Sequence, residues 1–180
     1  MHRLFVALSI PEAQTDALCG LQNGLEGARW RPPENFHITL SFIGETDRHG
    51  LADALDALGG VSAPGFALRL SGLGAFGERK PRAVWAAVET CPPLAHLHSK
   101  VDTALRRRGF ELERRRFVPH VTLAYLRGAK ADAVARYCAV NGLFSTPGFE
   151  VDAFHLYSSR LGGEASRYDI EASYALSSSR

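Results

Sequence analysis

Apolar residues in this chain collect in short runs at 4–10, 36–43, 66–73, 83–89, 120–126, 149–157 and 168–176. Each run has the length and the Gly, Pro or charged borders of a β-strand. Between the runs the spacing lengthens to helical periods. Pro11 opens a predicted helix reaching about Leu25, with Ala13, Ala17, Leu21 and Leu25 on one face. Asp47 is placed as the N-cap of a second helix that reaches Leu58 and stops at Gly59-Gly60. Leu94, Leu97, Val101 and Leu105 make the stripe of a third, ended by Gly109; a fourth, over 130–140, ends at Asn141-Gly142. The order is β-α-β-α-β-β, then α-β-α-β-β, so the second half nearly repeats the first. The pattern predicts an α+β fold and a single domain over 1–180. Two pseudo-symmetric lobes, each an antiparallel sheet with helices on its outer face, would enclose a central cleft.

Composition changes this picture little. The chain has 180 residues, 46% hydrophobic and 22% charged, ordinary values for a soluble globular protein. The first apolar run ends early at Pro11, Glu12 and Asp16, which favours a first strand over a signal peptide. No stretch approaches the ~18 apolar residues of a membrane span. Cys19, Cys91 and Cys138 are scattered and odd in number, so the expectation is free thiols, a cytoplasmic protein and no disulfide framework. Net charge is +2, but residues 1–90 are net −2 and residues 91–180 net +4. Much of that excess is Arg106-Arg107-Arg108 and Arg114-Arg115-Arg116. Each triplet reads either as a solvated face or as a surface for a phosphate backbone. The total is too small for a protein that coats nucleic acid and suits one that holds a short piece or an end.

The candidate chemistry lies in a repeated pattern. "NFHITLSF" at 35–42 and "PHVTLAY" at 119–125 both contain His, apolar, Thr, Leu. At this composition one such match arises roughly 0.06 times per shuffled chain, so two copies at matching places in the two halves ask for a shared cause. Strand alternation puts His37, Thr39 and Ser41 on one face and Ile38, Leu40 and Phe42 on the other. It likewise puts His120, Thr122 and Ala124 opposite Val121, Leu123 and Tyr125. Two imidazoles and two hydroxyls would then meet across the cleft. Such a pair suits metal binding, nucleophilic catalysis or paired acid–base work. Usual metal sites add carboxylates or thiolates, which neither motif carries, and no Ser or Cys nucleophile elbow is evident. Histidine's ordinary pKa of about 6.5 lets one ring be neutral and the other protonated, and threonine hydroxyls can donate to phosphate oxygens.

At these residues the chain resembles the 2H phosphoesterases, and within them the bacterial and archaeal RNA 2′,3′-cyclic phosphodiesterases, historically called 2′–5′ RNA ligases. "RLFVALSIP", "RWRPPENFHITLSFIGET", "LSGLGAFGERKPRAVWAAV", "GFELERRRFVPHVTLAY" and "FHLYSSRLGGEASRYDIEASYAL" carry the likeness over nearly the whole chain. The resemblance implies a bilobal fold, no metal and no cofactor. It implies an RNA partner with a 2′,3′-cyclic phosphate end, such as a tRNA half or short oligonucleotide, opened to a 2′-phosphate. Reversible 2′–5′ joining is implied as well. Carried over, His37 and His120 are the acid–base pair and Thr39 and Thr122 bind phosphate. His37 is then the acid and His120 the base, an order the residues alone leave open. Relatives commonly carry arginine where this chain has Tyr125. Strand parity turns Tyr125 away from His120, and Gly128 could swing Arg127 back to the cleft, so Arg127 is expected at the phosphate. A small cyclic nucleotide as substrate, or an RNA-end-binding module without turnover, are the alternatives. A monomer and no membrane association are expected.

The remaining features have plainer readings. His96, His98 and His155 are expected at structural or surface positions. Trp30 and Phe36 are either core or a base-stacking platform. "GLGAFGERKPR" at 72–82 matches no P-loop and reads as a hairpin loop carrying Arg79 and Lys80.

Overall fold

A computed structural model describes residues 2–160 and 166–178. The 161–165 part of the closing stretch quoted above lies outside the described residues. The strands are β1 (His2–Ser9), β2 (Ala28–Trp30), β3 (His37–Thr46), β4 (Phe66–Leu68), β5 (Leu70–Phe76), β6 (Ala83–Val88), β7 (His120–Leu126), β8 (Phe149–Val151), β9 (Ala153–Arg160) and β10 (Arg167–Ala175). The helices are α1 (Glu12–Cys19), α2 (Arg48–Gly59), α3 (Pro92–Arg107) and α4 (Ala131–Val140). Two predicted strands are each divided, by Arg69 and by Asp152, and β2 was not foreseen. Three residues are too few to show a period.

Two four-stranded antiparallel sheets form, ordered β10-β9-β1-β3 and β2-β7-β6-β5, with β4-β8 as a separate ribbon. The two lobes are not the two halves of the chain. The closing pair β9-β10 joins β1 and β3, while the first half's pair β5-β6 joins β7. Each half thus lends a strand pair to the other's motif strand, which fixes β3 and β7 beside one another. Helices α2 and α3 pack on the first sheet and α4 on the second. A continuous core runs through both, from Leu4, Val6 and Ile38 to Val84, Val121 and Leu123, all fully buried. Removing a leucine or isoleucine of that kind from water contributes roughly 1.5–3 kcal/mol.

The helices follow their sequence signals, with one exception. The Asp47 carboxylate accepts from the Gly50 N–H at 2.9 Å and caps α2 as expected. The α3 stripe of Leu94, Leu97, Val101 and Leu105 is buried throughout. Helix α1 is shorter than predicted: it stops at Cys19, and the chain then turns through Gly24 and Gly27, both at positive φ. Its buried residues are Gln14 and Leu18, not the predicted alanine face. Leu25 still packs into the core from the loop.

Candidate active site

His37 opens β3 and His120 opens β7, and the two rings are held in the same way. His37 Nδ1 donates to the Asn35 carbonyl at 2.7 Å, and His120 Nδ1 donates to the Val118 carbonyl at 2.6 Å. A carbonyl oxygen only accepts, so Nδ1 carries the hydrogen and Nε2 is the bare nitrogen of each neutral ring. The carbonyl comes from two residues upstream in both motifs. Prolines precede both strands, in a short 3-10 turn at Pro33–Asn35 before β3 and in an irregular segment ending at Pro119 before β7.

The repeat extends to a shared irregularity. Against β1, Ala7 faces Thr39 but Val6 faces Ser41, so Leu40 is an extra residue. Against β6, Trp85 faces Thr122 but Val84 faces Ala124, so Leu123 is an extra residue. Both His-x-Thr-Leu motifs carry a β-bulge at the leucine, and it reverses the alternation beyond it. Ser41 is therefore not on the face of His37. It is buried and donates to the Asp102 carboxylate of α3. Phe42 and Tyr125 turn the other way and become exposed cleft residues. The expectation that Tyr125 faces away from His120 assumed a regular strand and is corrected by the bulge.

The surroundings of the two rings differ. His37 lies on a second, aromatic cluster on the other face of the first sheet: Phe5 at 4.9 Å, the edge of Tyr168 at 5.3 Å and Tyr157 at 6.4 Å between ring centroids. Burial there pushes its pKa down to about 4. The Arg31 and His120 charges act in the same direction, against the bond to Asn35. His120 packs on Phe76 at 4.9 Å and Trp85 at 5.5 Å and lines an open cleft of about 390 Å³. Burial also lowers its pKa, helped by Arg115 and opposed by the Val118 carbonyl.

Thr39 and Thr122 line this cleft with His120; His37 shares β3 with Thr39, and the charge of His120 is felt at its ring. The irregular segment after α3 carries Arg115 and Arg116 to the wall. It is pinned by Phe117, stacked on His98 at 3.9 Å, while His98 Nδ1 donates to the carbonyl of the bulged Leu40 at 2.8 Å. The two arginine triplets thus separate. Arg106 donates to the Leu112 carbonyl at 3.1 Å and Arg108 pairs with Asp53 and Asp56 of α2, so these two arginines of the first triplet serve structure. His98, expected at a surface or boundary position, is partly buried and lines the cleft. Phe36 is core, and Trp30 packs toward Tyr137 at 6.0 Å, so neither is a platform at the cleft; Phe42, Phe76 and Tyr125 are the aromatic walls.

The two arginines that follow β7 and β2 are held differently. Arg127 follows the end of β7, exposed, with its N–H tied to the Gly27 carbonyl at 2.9 Å, and it is not among the residues lining the cleft. Arg31 follows β2, its N–H bonded to the Leu123 carbonyl at 2.8 Å. Its Nη2 donates to the Tyr168 hydroxyl at 3.0 Å, and its guanidinium lies 5.3 Å from the Tyr125 ring and 5.9 Å from the Tyr168 ring. Sequence reasoning missed Arg31 because nothing in its local spacing ties it to either motif; β2 brings it there.

Comparison with known proteins agrees with this geometry. Residues 13–163 match the 2′-5′ RNA ligase superfamily. An RNA 2′,3′-cyclic phosphodiesterase of Geobacillus stearothermophilus is 37% identical over 125 residues, 66% of this chain and 40% of that protein. One of Aeropyrum pernix is 40% identical over 99 residues, 54% of this chain and 56% of that protein. The matched stretch therefore spans only about half the length of these two relatives. Among solved structures, E. coli LigT complexed with 3′-AMP superposes with a TM-score of 0.79 at 26% identity, covering 97% of this chain and 98% of that one. The fold is thus a known one, and the chain belongs to the 2′-5′ RNA ligase superfamily, the 2H phosphoesterases.

Proposed function

We propose that this protein opens the 2′,3′-cyclic phosphate at the end of an RNA strand to a 2′-phosphate, without a metal, using His37 and His120 as its acid–base pair. The observation that carries the reading is the matched seating of the two rings. Each has Nδ1 committed to a backbone carbonyl and Nε2 left for chemistry, and the threonine two residues on in each motif lines the cleft that His120 also lines. The names of the relatives described above support the substrate class. His120 lines the open wall from which water arrives, so it is the base. His37 is taken as the acid, as the resemblance implies; its walls of Phe5, Tyr157 and Tyr168 disfavour the imidazolium in the free protein, and the negative charge of the bound diester restores the proton it donates. Water oxygen attacks phosphorus as His120 Nε2 takes its proton; the P–O3′ bond breaks as His37 Nε2–H protonates O3′. The product is a 2′-phosphomonoester with a free 3′-hydroxyl. Thr39 and Thr122 donate to the non-bridging oxygens as charge builds on them. With the 5′-hydroxyl of a second strand in place of water, the same transfers give a 2′–5′ linkage.

The test is phosphorus NMR with excess EDTA on an oligonucleotide ending in a 2′,3′-cyclic phosphate and on a cyclic mononucleotide. The cyclic resonance should be replaced by that of a 2′-monoester. A cyclic signal that persists with excess protein means binding without turnover, and a 3′-monoester overturns the assigned roles. Turnover of the mononucleotide alone moves the substrate to small cyclic nucleotides.

A further inference from the structure

Opening a cyclic phosphodiester adds negative charge at phosphorus, and two threonine hydroxyls are neutral donors. A cation is needed within reach. Among the described residues, Arg115 and Arg116 line the cleft, and Arg31 and Arg3 lie over the rings of its residues Tyr125 and Phe42. Arg3, Arg115 and Arg116 are exposed, and Arg115 is already paired with Glu113 at 3.1 Å. Arg31 differs in kind. It is half-buried and pairs with no carboxylate among the described residues. Its hydrogen bond to Tyr168 engages one nitrogen of the guanidinium and leaves donors on the others. The Tyr125 and Tyr168 rings hold the guanidinium plane, which limits the side-chain entropy lost when an anion binds. Its charge is felt at His37, and its backbone is fastened to the bulged Leu123 beside Thr122.

We propose that Arg31 is the cation that grips the scissile phosphate, reaching across from the second lobe and steadied by Tyr125 and Tyr168. The inference rests on the phosphodiesterase reading above and deepens it. Register explains how Arg31 could stand in for an arginine at position 125. Trp30 pairs with Ala124 and Arg29 with Tyr125, so the chain leaving β2 passes beside β7, and the guanidinium ends over the Tyr125 ring. A guanidinium that starts one strand away arrives where a side chain from position 125 would point.

The experiment titrates inorganic phosphate into the full-length protein while following the His37 and His120 ring signals by NMR, alongside kcat and KM on the cyclic-phosphate oligonucleotide. Arg31→Gln should weaken phosphate binding about tenfold or more and lower kcat/KM by a similar factor or more. Arg31→Lys keeps the charge without the planar fork and should fall between. The double variant Arg31→Gln, Tyr125→Arg should recover most of the loss, which a purely structural role for Arg31 would not allow. Wild-type phosphate affinity in Arg31→Gln, no rescue by Tyr125→Arg, or an equal loss in Arg127→Gln overturns the proposal. If the wild-type protein leaves the cyclic phosphate intact, the functional reading fails, and the phosphate titration still decides Arg31.

Discussion

The two His-x-Thr-Leu segments are alike at the backbone and unlike in their surroundings. Both rings donate Nδ1 to the carbonyl two residues back, and both strands bulge at the leucine. Around His37 the protein closes an aromatic box; around His120 it leaves an open wall with Arg115 and Arg116 nearby. The motif sets where Nε2 points, while the neighbours set how readily it holds a proton. That difference gives two copies of one segment different surroundings for the same ring nitrogen.

The largest expected effect comes from removing either ring. His37→Asn and His120→Asn keep a donor near the Nδ1 position and so preserve the bond to the carbonyl. Each should lose about 10²-fold or more in kcat. Melting should shift by only a few degrees, because the strand entry is intact. A variant with near-normal turnover would break the pairing, and its identity would say which motif is merely structural.

Next in size are the hydroxyls. Thr39→Val and Thr122→Val retain shape and remove one donor each to a charged group, a loss of about 1.5–3 kcal/mol, or roughly 10- to 100-fold in kcat/KM. Similar losses at the two sites would mean that the phosphate sits evenly between the lobes. A one-sided loss, read in parallel kinetics, would place it against one motif.

The pH profile sharpens the comparison of environments. The kcat/KM profile reports the free protein, in which one ring must be neutral and the other protonated. His37 is pushed down to about 4 and His120 is also lowered, so the alkaline limb falls below the ordinary histidine pKa of about 6.5. The optimum of kcat/KM should therefore be acidic. A bound diester anion favours both imidazolium forms, so the kcat limb should move to higher pH. A kcat/KM optimum at or above pH 7.5 would mean that the rings are less desolvated than this geometry implies.

Much of this was legible in the residues and some could not be. The paired motifs stood out because His and Thr are scarce enough that a second copy is informative. The α3 stripe and the Asp47 cap follow from local periodicity and side-chain chemistry, and both hold. The bulges were illegible because "HITLSF" and "HVTLAY" alternate normally; the extra residue exists only relative to β1 and β6. That hidden residue turned Ser41 inward and Tyr125 outward. The exchange of strand pairs was equally invisible, since periodicity says that a strand exists but not which neighbour it takes. Arg31 depends on that exchange twice: β2 sets it beside β7, and the pairing of β9 with β1 brings Tyr168 to meet it.

The smallest expected effect tests whether the open wall can be disturbed without touching the aromatic box. Gly74 of β5 lies against the Trp85 ring so closely that a Cβ at this position would overlap the indole carbons. The ring, unlike a flexible chain end, is confined by Phe76 at 5.1 Å and His120 at 5.5 Å. Gly74→Ala must therefore shift the indole toward His120 or open the β5-β6 pair, at a cost of about 1–3 kcal/mol in stability. Trp85 faces Thr122 in the register, so the disturbance reaches both functional side chains of the second motif. It has no such route to Phe5, Tyr157 and Tyr168, which hold His37 from the other sheet. The expected result is a loss of about two- to fivefold in kcat/KM through small misplacement of His120. NMR should show the His120 ring signals displaced and those of His37 at their wild-type positions. Displaced His37 signals would show that the two motifs are coupled through the packed strands β3 and β7, and the division between an open wall and a closed box would have to be given up.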